Sequence, residues 1–341
     1  MWYLPSVRID RVLGALFLRE RNWKMERHKR EALMTSPLGV CLLASACCAL
    51  WGSAFPCIKI GYQLFEIPAE AVNTQILFAG LRFTLAGLLV VAFVSAGNRR
   101  LLAPKKGSWG MIVKLSMCQT VLQYLFFYIG LANASGVKSS IIEGANVFIS
   151  ILVASLVFRQ EKFTGQKIVG CLVGFGGVVL VNWTKNGLDM NMKWNGEGFV
   201  LLSTVAYAFS AALIKEYAKR ENPVVLSGYQ FAVGGLVMAA WGLLGGGRLG
   251  AVSVPGLLML LYLAFVSAAA YTVWSLLLKH NPVSRVAVYG FMNPVFGVIL
   301  SAWLLAEHDQ AFGAKTAVAL LLVCVGIYAV NRPERLKTAE I

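Results

Sequence analysis

The stretch Val137–Asn182, VKSSIIEGANVFISILVASLVFRQEKFTGQKIVGCLVGFGGVVLVN, has an altered echo in the same chain. The echo is Val283–Asn331, VSRVAVYGFMNPVFGVILSAWLLAEHDQAFGAKTAVALLLVCVGIYAVN. In register, Gly144 falls on Gly290, Ser155 on Ser301 and Glu161 on Glu307. After a short insertion, Gly165 meets Gly313, Lys167 meets Lys315, and Val181-Asn182 meets Val330-Asn331. Each copy is an apolar run, a turn containing Glu, and a second apolar run. The register extends outward: Tyr128 falls on Trp274, Arg82 on Gln230, and Trp51…Lys59 on Tyr207…Lys215. The chain is therefore read as two homologous halves, and a repeat of this kind fixes the architecture before any single element does.

Composition sets the class. Of 341 residues, 58% are hydrophobic and 14% charged, against about 25% charged in an average soluble domain. Too few charges exist to cover a soluble surface, so the chain reads as an integral membrane protein. A net charge of +15 would suggest nucleic acid in a soluble protein. Here the basic residues sit between apolar runs, where the positive-inside rule places them, and no nucleic-acid partner is expected. The seven cysteines all lie within apolar runs without metal or redox spacing. They read as small buried or lipid-facing residues.

Ten apolar runs follow the basic segment 1–36: roughly 37–62, 71–97, 108–132, 136–158, 165–184, 196–217, 223–246, 255–279, 283–305 and 311–331. Each approaches the ~20 residues that a spanning helix needs. The expected fold is all-α and membrane-embedded, with ten transmembrane helices as two five-helix repeats, 37–184 and 196–331, and a tail over 332–341. The first 36 residues read either as an interfacial amphipathic helix, as a basic tail, or as translation begun upstream of a start at Met25 or Met34. Leu43-Ala-Ser-Ala-Cys47 resembles a lipoprotein cleavage site, but its apolar run continues to Ile60, too far for a signal peptide.

Lys and Arg set the orientation. With a cytoplasmic N-terminus, the inner side collects Arg99, Arg100, Lys105, Lys106, Arg159, Lys162, Lys167, Lys215, Lys219, Arg220, Lys279, Arg285 and the C-terminal Arg332, Arg335 and Lys337. Fewer fall outside, so both termini are expected to face the cytoplasm, in a plasma (bacterial inner) membrane. Five spans per half is an odd number. The second half must then enter the membrane the other way up, which is the inverted repeat of secondary transporters.

These residues carry a resemblance. The two halves are similar to two EamA-type domains of the drug/metabolite transporter superfamily. The matching features are Trp51-Gly52-Ser53-Ala54-Phe55 with Lys59, Arg82 in the second span, the Glu161 and Glu307 turns, and Asn293-Pro294 in the ninth. Tyr207 stands where the first half has Trp51. The resemblance covers about 37–331 and implies a ten-helix carrier, commonly an exporter of amino acids, metabolites or toxic compounds.

Ionisable groups inside a bilayer are costly and usually face a cavity or a partner. Arg82 lies about a dozen residues into its span, too deep to snorkel easily at ~1.5 Å per residue. Glu143 lies about two turns into the fourth. One reading has both facing a central cavity: Arg82 binding a substrate carboxylate or offsetting Glu143, and Glu143 binding a substrate amine or carrying a coupling proton. The other reading is a packed ion pair that ties the spans together. Lys59 and Lys114 lie near helix ends and can snorkel. Gln119 and Gln123 share a helix face, Asn146 extends a polar strip from Glu143, and Gln230 is the register mate of Arg82. Asn293 with Pro294 marks a hinge or a kink. Trp51, Phe55, Tyr124, Tyr207, Tyr271, Trp274 and Tyr289 are the aromatics able to stack a planar or amphipathic substrate, although most aromatics in spans are core or interfacial belt residues.

The chain contains no Gly-x-x-x-x-Gly-Lys-[Ser/Thr] loop and no His-Glu-x-x-His, and its three histidines are scattered. No ATP motor, metal, cofactor or catalytic group is expected. The expected partners are a small-molecule substrate and the lipid bilayer; the sequence specifies no oligomeric state. A carrier working by alternating access is the reading, with export favoured by family analogy alone; a membrane sensor or scaffold, an uptake carrier of the same fold, or an intramembrane enzyme are the alternatives.

Overall fold

In a computed structural model, every element among the described residues is helical. Those residues are 31–134, 136–183, 193–250, 252–304 and 314–332. Most of the basic N-terminal segment, Glu307 and the tail from 333 lie outside them.

Helical segments occupy each of the ten apolar stretches. They are α1 (Pro37–Leu64), α2 (Val72–Asn98), α3 (Trp109–Asn133), α4 (Gly136–Leu152), α5 (Gly165–Asn182), α6 (Trp194–Tyr217), α7 (Pro223–Leu244), α8 (Val254–His280), α9 (Met292–Leu304) and α10 (Ala314–Asn331). Six of them, α1, α2, α3, α6, α7 and α8, are long and apolar enough to cross a membrane. Local chemistry fixes several starts. Ser36 caps α1 by accepting from the Gly39 amide at 3.1 Å, and Pro37 fills the first position. Asn222 caps α7 through the Val224 amide at 2.9 Å, followed by Pro223. A capping oxygen satisfies an orphan N–H, and proline there has none to waste.

Not every stretch is a uniform helix. Within α3, Ser116–Leu122 is a π-helical stretch. The Ser116 hydroxyl donates to the Ile112 carbonyl at 2.9 Å and to the Gln230 carbonyl at 3.0 Å. Such back-bonding competes with the regular ladder, and π turns often mark functional positions. A second π turn, Val153–Val157, ends α4. The ninth stretch is broken. A short helix Val283–Ala287 passes into a 3₁₀ turn Val288–Phe291 before α9 begins. Pro294 explains the break: it lacks the N–H that would bond the carbonyl of residue 290, and its ring would clash there. In the restarted helix it falls in the first turn, where it is tolerated.

The packing joins the halves intimately. Helix α2 lies against α7, and α5 against α10, in the two most extensive contacts. Helix α1 packs on α8 and α9, whereas α6 packs on α3 and α4. The α2–α7 crossing is antiparallel and glycine-lined. A Cβ on Gly80 would meet Ala239 N at 2.3 Å and Gly235 O at 2.9 Å; one on Gly87 would meet Ala232 N at 2.3 Å and Gly228 O at 2.5 Å. Small residues let helix backbones approach this closely. In the repeat register Gly80 corresponds to Gly228 and Gly87 to Gly235, so the contacts are reciprocal. The Gly170-x-x-x-Gly174 surface, with Gly177, does the same for α5 against Gly326, Ala319 and Val330 of α10. Trp51 sits at the junction of the two largest buried clusters and packs against both.

Candidate functional site

Arg82 is the buried cation of α2, only 4% exposed. Its guanidinium carbon lies 4.3 Å from the Phe83 ring centre and 5.9 Å from that of Tyr124. Its Nε is buried without a hydrogen-bond partner, and among the described residues no carboxylate lies within ion-pair distance. Two ring faces offer a cation about 0.5–2 kcal/mol each, less than the several kcal/mol that desolvation costs.

Around it stands a shell drawn from both halves. Phe83 stacks on Phe231 of α7 at 5.3 Å and tilts against Tyr124 of α3 at 4.4 Å. Phe231 meets Tyr271 of α8 edge-on at 4.9 Å. The Tyr124 and Tyr271 hydroxyls share a hydrogen bond of 2.6 Å. Trp51 of α1 sets its edge against Tyr271 at 4.9 Å and Trp274 at 5.0 Å. Tyr207 of α6 packs against the same cluster. Edge-to-face rings of this kind are held by their quadrupoles and repack only as discrete units.

Polar atoms in this region are incompletely satisfied. Gln230, wholly buried, accepts from the Thr120 hydroxyl at 2.7 Å, leaving its Nε2 without a partner. The Trp51 indole nitrogen, the Gln123 Oε1 and the Asn293 Oδ1 are likewise buried and unpartnered. Each such atom costs about 1–3 kcal/mol until something completes it. Gln119 is buried on the π-helical stretch.

Glu143 lies on α4 and accepts from the Ser203 hydroxyl of α6 at 3.1 Å. It is not paired with Arg82, so the packed ion pair is not what the structure contains. Asn146 accepts from Ser150 at 3.1 Å, one turn along α4. Tyr289 is buried in the 3₁₀ turn, where its carbonyl accepts from the Cys48 thiol at 3.2 Å. The Phe55 side chain lies outside the described residues.

The structure therefore gathers Trp51, Arg82, Tyr207, Tyr271 and Trp274, with Gln123 and Gln230 flanking on α3 and α7. Tyr289 shares a buried cluster with Trp274, and Trp51 packs against it; Asn293 lies in the restarted ninth stretch and Asn146 on α4. Sequence reasoning missed Phe83, Phe231 and Ser203. The first two follow Arg82 and Gln230 directly, so the register pairs Arg-Phe with Gln-Phe, a signal that was available. Nothing distinguished Ser203 from other serines. A separate cavity of about 310 Å³ lies where α3 begins and α6 ends, beside Met111, Lys114, Glu216, Tyr217 and Arg220. No candidate residue lines it.

Comparison with known proteins gives the same class. An uncharacterized transporter of Synechocystis sp. is 26% identical over 84% of this chain and 88% of its own length. A probable amino-acid metabolite efflux pump of Escherichia coli is 27% identical over 84% of this chain and 93% of its own. A WAT1-related chloroplast protein of Arabidopsis thaliana is 26% identical over 83% and 67%. One solved crystal structure shares the fold with a TM-score of 0.70 at 16% identity, covering 87% of this chain and 97% of its own. The EamA-like transporter family matches twice, over residues 38–183 and 194–332. With two copies of that family's domain covering nearly all the described helices, the chain belongs to the EamA-like transporter family, a membrane transporter family of the drug/metabolite transporter superfamily.

Proposed function

We propose that this protein is a secondary transporter that exports a small metabolite by alternating access, with ten spans in two oppositely inserted halves and both termini cytoplasmic in a plasma membrane. One observation carries the reading. A buried cation with no counter-ion among the described residues sits within a shell of aromatic and unsatisfied polar groups contributed by both halves. A structural protein gains nothing from such a group; a carrier needs groups that a solute completes. The matched glycines of α2 and α7, and the α1 and α6 pairings, support two halves related by an in-plane axis, the arrangement in which inward- and outward-open states have similar energies. Efflux as the direction rests on what the Escherichia coli relative is named for.

Within this reading Glu143 carries the coupling proton, because among the described residues it is held by a single serine hydroxyl and no cation. Counterflow of labelled solute in proteoliposomes tests the carrier: trapped unlabelled solute should drive transient uptake of label. Uptake that only equilibrates, with no overshoot for any solute in a broad metabolite panel, sinks the reading. Glu143→Gln should keep counterflow while abolishing acceleration by a proton gradient. If that acceleration survives the substitution, Glu143 is not the coupling group.

A further inference from the structure

At one end of the molecule, elements of both halves meet in a set of hydrogen bonds. The Glu161 carboxylate, in the connector between α4 and α5, accepts from the Ser284 amide at 2.9 Å and the Ser284 hydroxyl at 2.5 Å. Its side chain is 6% exposed and is paired with Lys167 at 3.1 Å. The neighbouring Gln160 donates to the Ala212 carbonyl of α6 at 2.9 Å. Lys215, at the end of α6, donates to the Leu278 carbonyl at 3.3 Å and to the Asn281 carbonyl. Those are carbonyls at the C-terminus of α8, which a cation both satisfies and neutralises. Asn281 in turn donates to the Met34 carbonyl, just before α1, at 2.8 Å. First-half connectors, second-half helices and the start of α1 thus meet in one hydrogen-bonded cluster.

The register mate of Lys215 behaves differently. Lys59 and Lys215 stand equally far into their own family copies, which begin at 38 and 194. Lys59 is exposed and donates no hydrogen bond to any of the described residues. Its counterpart carbonyls would be those ending α3, the mate of α8. Yet α6 packs on α8, whereas α1 and α3 are not among the extensive contacts. Two homologous lysines are therefore in opposite states at opposite repeats. In a carrier whose halves exchange conformations, that asymmetry is what distinguishes one facing state from the other.

We infer that Lys215 and Glu161 form the latch that closes one mouth of the carrier, and that Lys59 makes the corresponding latch on the C-terminus of α3 when the other mouth closes. The inference rests on the carrier reading. Opening the first mouth breaks the Lys215 and Glu161 contacts; closing the second recruits Lys59.

The test uses a reporter cysteine, Leu278→Cys, at a side chain only 1% exposed. The full chain in detergent micelles is labelled with a membrane-impermeant maleimide, counted above the native thiols. Lys215→Met and Glu161→Gln remove charge-assisted hydrogen bonds and should speed labelling roughly tenfold or more. Ser284→Ala should speed it less, and Lys59→Met, which weakens the opposite state, should slow it. Lys215→Arg keeps the charge and should restore slow labelling. Labelling at the parent rate in both Lys215→Met and Glu161→Gln overturns the latch. So does Lys215→Arg labelling as fast as Lys215→Met, which would report damage instead of opening. Counterflow by the parent is measured separately: its absence defeats the carrier reading, while the labelling pattern still decides whether this end is latched.

Discussion

Arg82 and Gln230 occupy one register position, yet their surroundings treat them oppositely. Gln230 is anchored by Thr120, whereas Arg82 has only ring faces. An unpaired buried charge destabilises the fold that holds it. Arg82→Met should therefore raise the unfolding midpoint of the solute-free protein, by an amount corresponding to about 1–3 kcal/mol, while lowering solute affinity at least tenfold. Thermal unfolding in detergent and counterflow titration check the two halves of that expectation; a lowered midpoint would make Arg82 a structural group. Glu221, in the connector between α6 and α7, is the contrasting case. Burial alone would raise its pKa. Hydrogen bonds from the Ser108 hydroxyl at 2.6 Å, the Lys105 amide at 2.9 Å and the Asn222 amide at 2.8 Å outweigh that and hold it below the ordinary carboxylate range. A depressed folded-state pKa means stability that is present above the unfolded value of 4.5 and lost as pH falls through the lower, folded one. Glu221→Gln should cost about 1–2 kcal/mol at pH 7, and the gap to the parent should close as the pH is lowered below that value. A gap independent of pH would exclude the carboxylate as its source.

At the scale of elements, the glycines divide by what stands opposite them. Gly235 faces the Thr84 amide, where a Cβ would come within 2.3 Å, while Gly176 of α5 has nothing within 4 Å. Gly235→Ala should force α2 and α7 apart and destabilise the protein by about 1–3 kcal/mol, as overpacking does. Gly176→Ala should be neutral or stabilising by up to ~1 kcal/mol, the helix propensity it gains. Thermal unfolding of the two variants side by side checks this, and equal midpoints would mean the crossing is looser than described. The broken ninth stretch belongs to the same scale. The Asn293-Pro294 pair marked a hinge or kink in the sequence, and the structure realises it as a 3₁₀ turn. The pair carried that information because proline acts on its own backbone. The π-helical stretch of α3 was not legible, since it depends on Ser116 and Thr120 meeting Gln230, 110 or more residues away.

For the molecule as a whole, the prediction concerns sidedness. Single cysteines introduced just before α4 and just before residue 283 flank matched positions of the two copies. In intact cells, an impermeant thiol reagent should reach the first and not the second. Equal accessibility from one side would remove the inverted repeat and, with it, the argument for two interconvertible facing states. The helix pairings α2–α7 and α5–α10 agree with two halves sharing an axis, and the family matches once in each half, over 38–183 and 194–332.

The sequence by itself determined the membrane class, the repeat, the apolar helical stretches and the family. Those properties are additive along the chain: hydropathy, residue spacing and the Asn293-Pro294 pair act where they stand. Only the tertiary structure decided that Arg82 has no counter-ion among the described residues, that Glu143 leans on Ser203, and that Glu161 reaches across to Ser284. Each depends on which of many polar groups, distant in sequence, arrive within about 3 Å, and a single chain read in one dimension carries no such distances.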